Sequence, residues 1–398
     1  MLHNRPQLTA ITLTNALGHG MAATLAGLCS GRSGLRRCDF DDASLDTWIG
    51  RVDGIGQVSL PARLRRFDCR NNRLAQLALE QDAFTAAVSR CRARYGAIRI
   101  GLFLGTSTSG IRETERAYRA RDPETRRLPA GFDYRDTQLV FSVVDFVREL
   151  LGIRGPSLAI STACSSSAKV FATAWRHMAT GLCDAAIVGG VDSLCLSTLY
   201  GFHALQLVSP RPCCPWDRDR DGISIGEAAG FALLERERTD AGSVSLLGYG
   251  ESSDAHHIAT PHPEGTGAAL AMQRALGMAQ LNGRDIDYIN LHGTATRTND
   301  ASESAALCRV FDTPPAFGST KGWTGHTLGA AGITEAIIAC LAIGQGMIPG
   351  TLNTAQPDPA LSAGLVRETR AQPVGTVMSN SFGFGGSNCS LLLGATRR

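Results

Sequence analysis

The run Asp184-Ala-Ala-Ile-Val-Gly-Gly-Val191 constrains the fold more than any other stretch. Its apolar residues follow one another without a polar alternate, so both faces of a strand built from it must be buried. Such a strand belongs to a sheet covered on each side by helices. Similar runs recur at residues 98–104, 157–160, 229–234 and 287–291, several of them bounded by glycine. Between them lie longer stretches with helical spacing, at about 165–179, 267–278 and 326–344. The expectation is an α/β fold. Its 398 residues exceed one ordinary core, so two units are expected, residues 1–240 and 241–398. They share no letter-level repeat. What repeats is a plan, in which a buried strand delivers a polar residue at its C-terminal end, where α/β sheets place their ligands. No Pro/Ser-rich linker separates the units, so they are expected to pack as one body.

Composition excludes several classes. A net charge of +3 is too small to imply nucleic acid, and 43% hydrophobic with 19% charged residues is the balance of a soluble globular protein. Residues 1–20 lack the basic segment, apolar run and cleavage site of a signal peptide. No stretch reads as the roughly 18–20 apolar residues of a membrane span. The twelve cysteines form no CxxC pair for zinc or dithiol chemistry. Many thiols and no export signal point to the cytoplasm. Basic charge gathers around Arg65 and Arg66 and again at Arg126 and Arg127, clusters that equally suit a solvated face. Of 39 basic residues only two, Lys169 and Lys321, are lysine. Lysine retained in so arginine-rich a chain hints that a compact ammonium is needed there.

Four motifs carry chemistry. Cys164, in Ser161-Thr-Ala-Cys-Ser-Ser-Ser167, falls between a strand end and a helix start, where the helix N-terminus would favour the thiolate and small neighbours would admit a bulky substrate. The same residues also suit a buried structural Cys. His292, in Asn290-Leu-His-Gly-Thr-Ala-Thr296, stands at a strand end where it can point into a cavity, with the hydroxyls of Thr294 and Thr296 beside it. Lys321 and His326 lie in Ser319-Thr-Lys-Gly-Trp-Thr-Gly-His326. A His opening a helix, near a lysine, is expected to stay neutral and so to donate to an enolate-like oxygen. Glu335, nine residues on, could balance Lys321. Phe384 stands in Asn380-Ser-Phe-Gly-Phe-Gly-Gly-Ser-Asn388, a turn whose exposed N–H groups suit an oxyanion hole or a gate.

Taken in order, these motifs resemble the elongating β-ketoacyl-acyl-carrier-protein synthases. The resemblance extends over nearly the whole chain, through Gly105-Thr-Ser-Thr-Ser-Gly110, Pro215-Trp-Asp-Arg-Asp-Arg-Asp-Gly222 and Gly226-Glu-Ala-Ala-Gly230. It implies a thiolase-like fold, duplicated halves in a five-layered αβαβα sandwich, and a dimer, homomeric or paired with a ketosynthase paralogue. By the same resemblance Cys164 accepts an acyl group from acyl carrier protein. His292 and His326 assist decarboxylation of malonyl-carrier protein, and the carbanion so formed attacks the acyl-Cys. The N–H groups of Cys164 and Phe384 form an oxyanion hole, Phe384 also matches a gating aromatic, and Lys321 with Glu335 supports the histidines. Thr294 and Thr296 hold the phosphopantetheine arm that arrives on the carrier protein, so neither cofactor nor metal is implied. Phe202 and Thr108 fall near the acyl pocket. Because the carriers are acidic, Arg65, Arg66, Arg126 and Arg127 become candidates for docking them.

The family's Gly-Glu-Gly-Ala-Gly has Ala228 at its second Gly, and its His-Gly-Thr-Ser-Thr has Ala295 in place of Ser. The polar Thr-Ser-Thr-Ser rim hints at fatty-acid chemistry turned toward polyene or polyketide-type products. The main rival is a chain-length factor, the silent partner of a ketosynthase heterodimer, which would lack the nucleophilic Cys. A degradative thiolase would need a second active-site Cys, and an initiating or chalcone-type synthase an Asn in place of the second His.

Overall fold

The computed structural model describes residues 5–236, 244–361 and 363–395. The expected boundary at 240/241 therefore lies outside the described residues.

Ten strands form one continuous sheet path: β1 (Gln7–Asn15), β2 (Ile100–Gly105), β3 (Ser157–Ile160), β4 (Ala185–Asp192), β5 (Ala228–Glu235), β6 (Val244–Ser253), β7 (Tyr288–Asn290), β8 (Ala316–Gly318), β9 (Thr376–Gly383) and β10 (Ser387–Ala395). Their spatial order is β8-β7-β9-β10-β6-β1-β5-β4-β2-β3. Cut between β6 and β1, this order is the same five-strand arrangement written twice. In each half the second strand runs parallel to the third and fourth, and the fourth, fifth and first are successively antiparallel. The duplication expected of the fold is thus exact in topology although absent in letters. The halves are stitched by two residue pairs, Gln7 with Ser245 and Leu8 with Val244.

Five layers follow from where the apolar side chains go. Helices α1 (Arg70–Leu79), α2 (Phe84–Tyr95) and α3 (Ser142–Leu151) cover the outer face of the first half. Helices α5 (Thr266–Ala279) and α6 (Arg297–Val310) cover the outer face of the second. Between the sheets lie α4 (Ser166–Ala179) and α7 (Ala331–Gln345), whose side chains build the central core with both. Where the two central helices cross, a Cβ on Gly332 would sit 2.4 Å from the Ala168 nitrogen, so only glycine permits that approach. Residues Leu328–Gln345 are long and apolar enough to span a membrane, contrary to the sequence reading, but 83% of the stretch is buried inside the protein. A helix with sheets on both sides needs apolar residues all round, which explains its composition.

Two expectations change. Strand β3 is an edge strand with Leu158 42% exposed, rather than one covered on both faces. Nor does His326 open α7. Residues Leu328–Ala330 form a 3₁₀ turn before the helix begins at Ala331, and His326 lies earlier in extended chain.

Candidate active site

The strand ends of both halves converge on one pocket, lined by Cys164, Phe202, His292, Thr294, Thr296, His326, Phe382 and Phe384 among others. Cys164 follows β3 on a tight turn in which Ala163 takes φ +51°, a conformation costly for a residue with a Cβ. The turn is closed by Ser165 and Ser166, whose hydroxyls donate to the carbonyls of Thr162 (2.9 Å) and Ala163 (2.6 Å).

His326 reaches the thiol from the other half, with its Nε2 3.0 Å from Cys164 Sγ. Its backbone is pinned to a short strand, Ile225–Gly226: its N–H donates to Ser224 O at 2.7 Å and its carbonyl accepts from the Gly226 N–H at 2.9 Å. His292 extends from the end of β7 and stands edge-on to His326, ring centres 5.3 Å apart. Lys321 Nζ donates both to the His292 carbonyl and to the Glu335 carboxylate, a buried pair beneath the two rings.

The electrostatics differ in part from the sequence expectation. Both imidazoles are held well below the usual histidine range, as expected for His326, but the causes are burial first and the Lys321 ammonium second, with His326 adding to the effect on His292. The helix terminus invoked for His326 is not there. For Cys164 the direction reverses, because burial pushes the thiol up to about 12 despite Lys321 and a hydrogen bond from the Phe384 N–H. The resting group is a thiol next to a neutral imidazole that can take its proton. Burial also raises Glu335, to about 7, against the pull of Lys321.

Phe384 begins the turn after β9 and stacks on Phe202, ring centres 5.5 Å apart. Thr294 and Thr296 share a hydrogen bond of 3.0 Å on the pocket wall, and Thr296 also caps α6 by accepting from the Asn299 N–H at 3.3 Å. Thr108 does not line the pocket. It is buried, its hydroxyl donating to Asp192 at 3.0 Å. None of the four arginines lines the pocket either. Arg65, Arg126 and Arg127 are exposed, whereas Arg66 is engaged by Glu149 and Asp136. Among the described residues, Cys164, His292 and His326 form the one cluster with metal-like spacing, their donor atoms within 4.8 Å of one another.

Residues 66–240 match the family described as Beta-ketoacyl synthase, N-terminal domain, and residues 244–355 match Beta-ketoacyl synthase, C-terminal domain. The chain belongs to the β-ketoacyl synthase family. Among curated relatives, the 3-oxoacyl-[acyl-carrier-protein] synthase 2 of Vibrio cholerae is 31% identical, across 98% of this chain and 99% of its own. The mitochondrial 3-oxoacyl-[acyl-carrier-protein] synthase of Arabidopsis thaliana is 34% identical, across 98% and 93%. Among solved structures, a chain of the ketosynthase–chain length factor complex from Xenorhabdus doucetiae gives a TM-score of 0.90 at 37% identity, covering 99% of this chain and 98% of its own. A β-ketoacyl synthase from Burkholderia phymatum gives 0.86 at 28%, covering 99% and 100%. This β-ketoacyl synthase is therefore a condensing acyltransferase with a thiolase-like fold.

Sequence reasoning missed two buried carboxylates. Glu303, on α6, accepts from the N–H groups of His292 (2.9 Å) and Gly293 (2.8 Å) and from Asn380 (3.2 Å). Asp192 ends β4 and touches only loops that are distant in sequence. The signal available for Asp192 was an acid closing an otherwise apolar run. For Glu303 no local spacing marks it out.

Proposed function

We propose that Cys164 carries the growing acyl chain as a thioester delivered by acyl carrier protein and condenses it with a malonyl group from a second carrier. Cys164 Sγ attacks the incoming thioester carbonyl while its proton passes to His326 Nε2. The carrier's thiolate leaves and takes that proton from His326 Nε2, which is neutral again, while the N–H groups of Cys164 and Phe384 hold the carbonyl oxygen. Malonyl-carrier protein then binds with its thioester carbonyl toward His292 and His326. Neutral imidazoles can donate to that oxygen as carbon dioxide departs and enolate character develops, and one such donor is worth about 3–4 kcal/mol. The carbanion attacks the acyl-Cys carbonyl, the carbon–sulfur bond breaks, and Cys164 leaves as a thiolate that takes up a proton from solvent. The reading calls on no metal or nucleotide. The observation that carries it is the 3.0 Å contact between His326 and Cys164, with a second neutral His beside it.

Thr294 and Thr296, on the pocket wall, suit the amide-bearing phosphopantetheine arm, and Phe202 with Phe384 suits the acyl end. Exposed Arg65, Arg126 and Arg127 suit an acidic carrier, and Arg66 suits it less because two carboxylates already engage it. The unpaired outer edge of β3, with exposed Leu158, Leu139 and Val140, supports a dimer. Similarity to the Xenorhabdus doucetiae complex at 37% identity favours a chain-length-factor paralogue as the second subunit, with this chain as the subunit that keeps its nucleophile. Twelve cysteines with no disulfide among the described residues fit the cytoplasm.

The test is intact-mass acyl transfer, with the chain alone and with its paralogue. Acyl-carrier proteins of varied chain length are offered, mass added at Cys164 is measured, and malonyl-carrier protein is then supplied. Acyl mass on Cys164 followed by ketone product is expected. Product formed without an acyl-Cys164 would sink the reading.

A further inference from the structure

Asp192 is 1% exposed, and its two oxygens receive six donors. Oδ1 accepts from Thr106 Oγ1 (2.9 Å), the Ser107 N–H (2.7 Å), the Thr108 N–H (3.0 Å) and Thr108 Oγ1 (3.0 Å). Oδ2 accepts from the Ser107 hydroxyl and from the Gly329 N–H at 2.6 Å. The donors come from two places, the loop after β2 and the turn three residues beyond His326. That turn has room for nothing else: a Cβ on Gly329 would lie 2.8 Å from Asp192 Oδ2 and 2.9 Å from the Ser107 nitrogen. Among the described residues no cation pairs with Asp192. Burial pushes its carboxyl up, but the donors from Thr106, Ser107 and Thr108 pull the other way. Three of the six donors are backbone N–H groups that cannot reverse, which is the surrounding an ionised carboxylate requires.

We propose that Asp192 is a positioning residue for condensation: as a carboxylate it clamps the turn carrying His326 to the Thr106–Thr108 loop, and so keeps the imidazole aimed at Cys164. This rests on the role given to His326 above. The clamp cannot be copied by an amide. In Asp192→Asn the new NH₂ must face either the Gly329 N–H or the N–H groups of Ser107 and Thr108, donor against donor. Releasing the turn lets His326 drift, and a 1 Å error in a reacting group costs about 100-fold in rate.

The carboxylate also acts on the thiol. The charged and titratable groups facing Cys164 are Lys321, which favours the thiolate, Asp192 and Glu335, which oppose it, and the neutral His326 and His292. Removing the negative charge of Asp192 stabilises the thiolate, so alkylation of Cys164 by iodoacetamide should move to lower pH.

The experiment compares wild type, Asp192→Asn, Asp192→Glu and Ser107→Ala for melting temperature, acyl loading, single-turnover condensation and the pH profile of alkylation. Expected for Asp192→Asn is slower but complete loading, condensation slower by about 100-fold with KM for malonyl-carrier protein unchanged, and an alkylation profile displaced to acid by about half a unit, or about threefold in rate at fixed pH. Asp192→Glu keeps the charge but not the reach, so condensation falls while the alkylation profile stays at its wild-type pH. Should Asp192→Asn fail to fold, Ser107→Ala removes one donor and leaves the carboxylate, and condensation should still fall several-fold. Unchanged condensation in Ser107→Ala and Asp192→Asn, or an unmoved alkylation profile in Asp192→Asn, overturns the proposal. Failure of wild type itself to load Cys164 overturns the function proposed above instead.

Discussion

The second strand of each half ends in a small polar loop, and the two loops are finished in opposite ways. After β2, Thr106, Ser107 and Thr108 spend their hydroxyls on Asp192, and Ser109 bonds the carbonyls of Thr137 (3.2 Å) and Leu139 (3.0 Å). After β7, buried polar atoms are left without partners: Asn290 Oδ1 and His292 Nδ1, joined by His326 Nδ1 and Glu335 Oε2 from the following segments. A saturated loop is rigid and chemically silent. An unsaturated one leaves the two histidines, which line the pocket, unspent for a substrate, at a cost in stability that the rest of the fold must offset. The duplicated topology therefore supplies two equivalent positions, and the chain uses one as frame and the other as reagent.

That division can be attacked at several strengths. The largest effect should come from the nucleophile that the first half lends to the second. Cys164→Ala should abolish acyl mass addition and lower condensation by about 10⁴-fold or more, and any residual loading seen by mass spectrometry would break the scheme. Next, His326→Ala should load more slowly, because the raised thiol loses the base 3.0 Å from it, and should lose about 10²–10³-fold in condensation, read by single-turnover product formation. Full condensation in that variant would mean the unsaturated side is not the reagent.

Lys321→Met tests the charge under the rings. Removing the ammonium raises the pKa of both imidazoles, so the acid limb of the condensation profile should move to higher pH. It also raises the Cys164 thiol further, so alkylation at fixed pH should slow. The orphaned Glu335 should destabilise the fold by about 3–5 kcal/mol in denaturant melts, and adding Glu335→Gln should recover much of that. A smaller effect is expected at the edge of the reagent loop. Thr296→Ala removes the cap of α6 and should cost about 1 kcal/mol of stability, together with a higher KM for the carrier substrate. Smallest of all, Lys169→Met should change stability by less than about 1 kcal/mol and leave condensation alone. Lys169 makes only a partly buried 3.4 Å pair with Glu251, a carboxylate that Arg176 also holds at 2.6 Å, whereas Lys321 is fully buried with Glu335.

Much of this was legible because the signals are local. The apolar runs became β2, β4 and β5, shifted by one or two residues, and the helices at 166–179 and 266–279 came within a residue of expectation. Cys164, His292, Lys321, His326 and Phe384 announce themselves by order along the chain. What stayed hidden depends on contacts between distant segments. His326 is not helical because the Ile225–Gly226 strand pulls it into extended pairing and Leu328 then turns with φ +50°. The thiol of Cys164 is raised because everything around it is buried, which a strand–turn–helix motif does not disclose. Asp192 and Glu303 satisfy backbone N–H groups from other loops. Thr108 was placed near the acyl pocket by analogy; its hydroxyl is spent on Asp192, and it is not among the residues lining the pocket around Cys164.

The central helix α4 has a consequence for synthesis on the ribosome. It is buried between the two sheets, and its Ser167 hydroxyl accepts the N–H of Ile333, a residue translated long afterwards. While the second half is still emerging, the first half must carry α4 with one flank bare, an apolar surface open to chaperones or to wrong partners. Only when α7 arrives does that flank close, so an intact nucleophile turn reports that synthesis has passed Gln345.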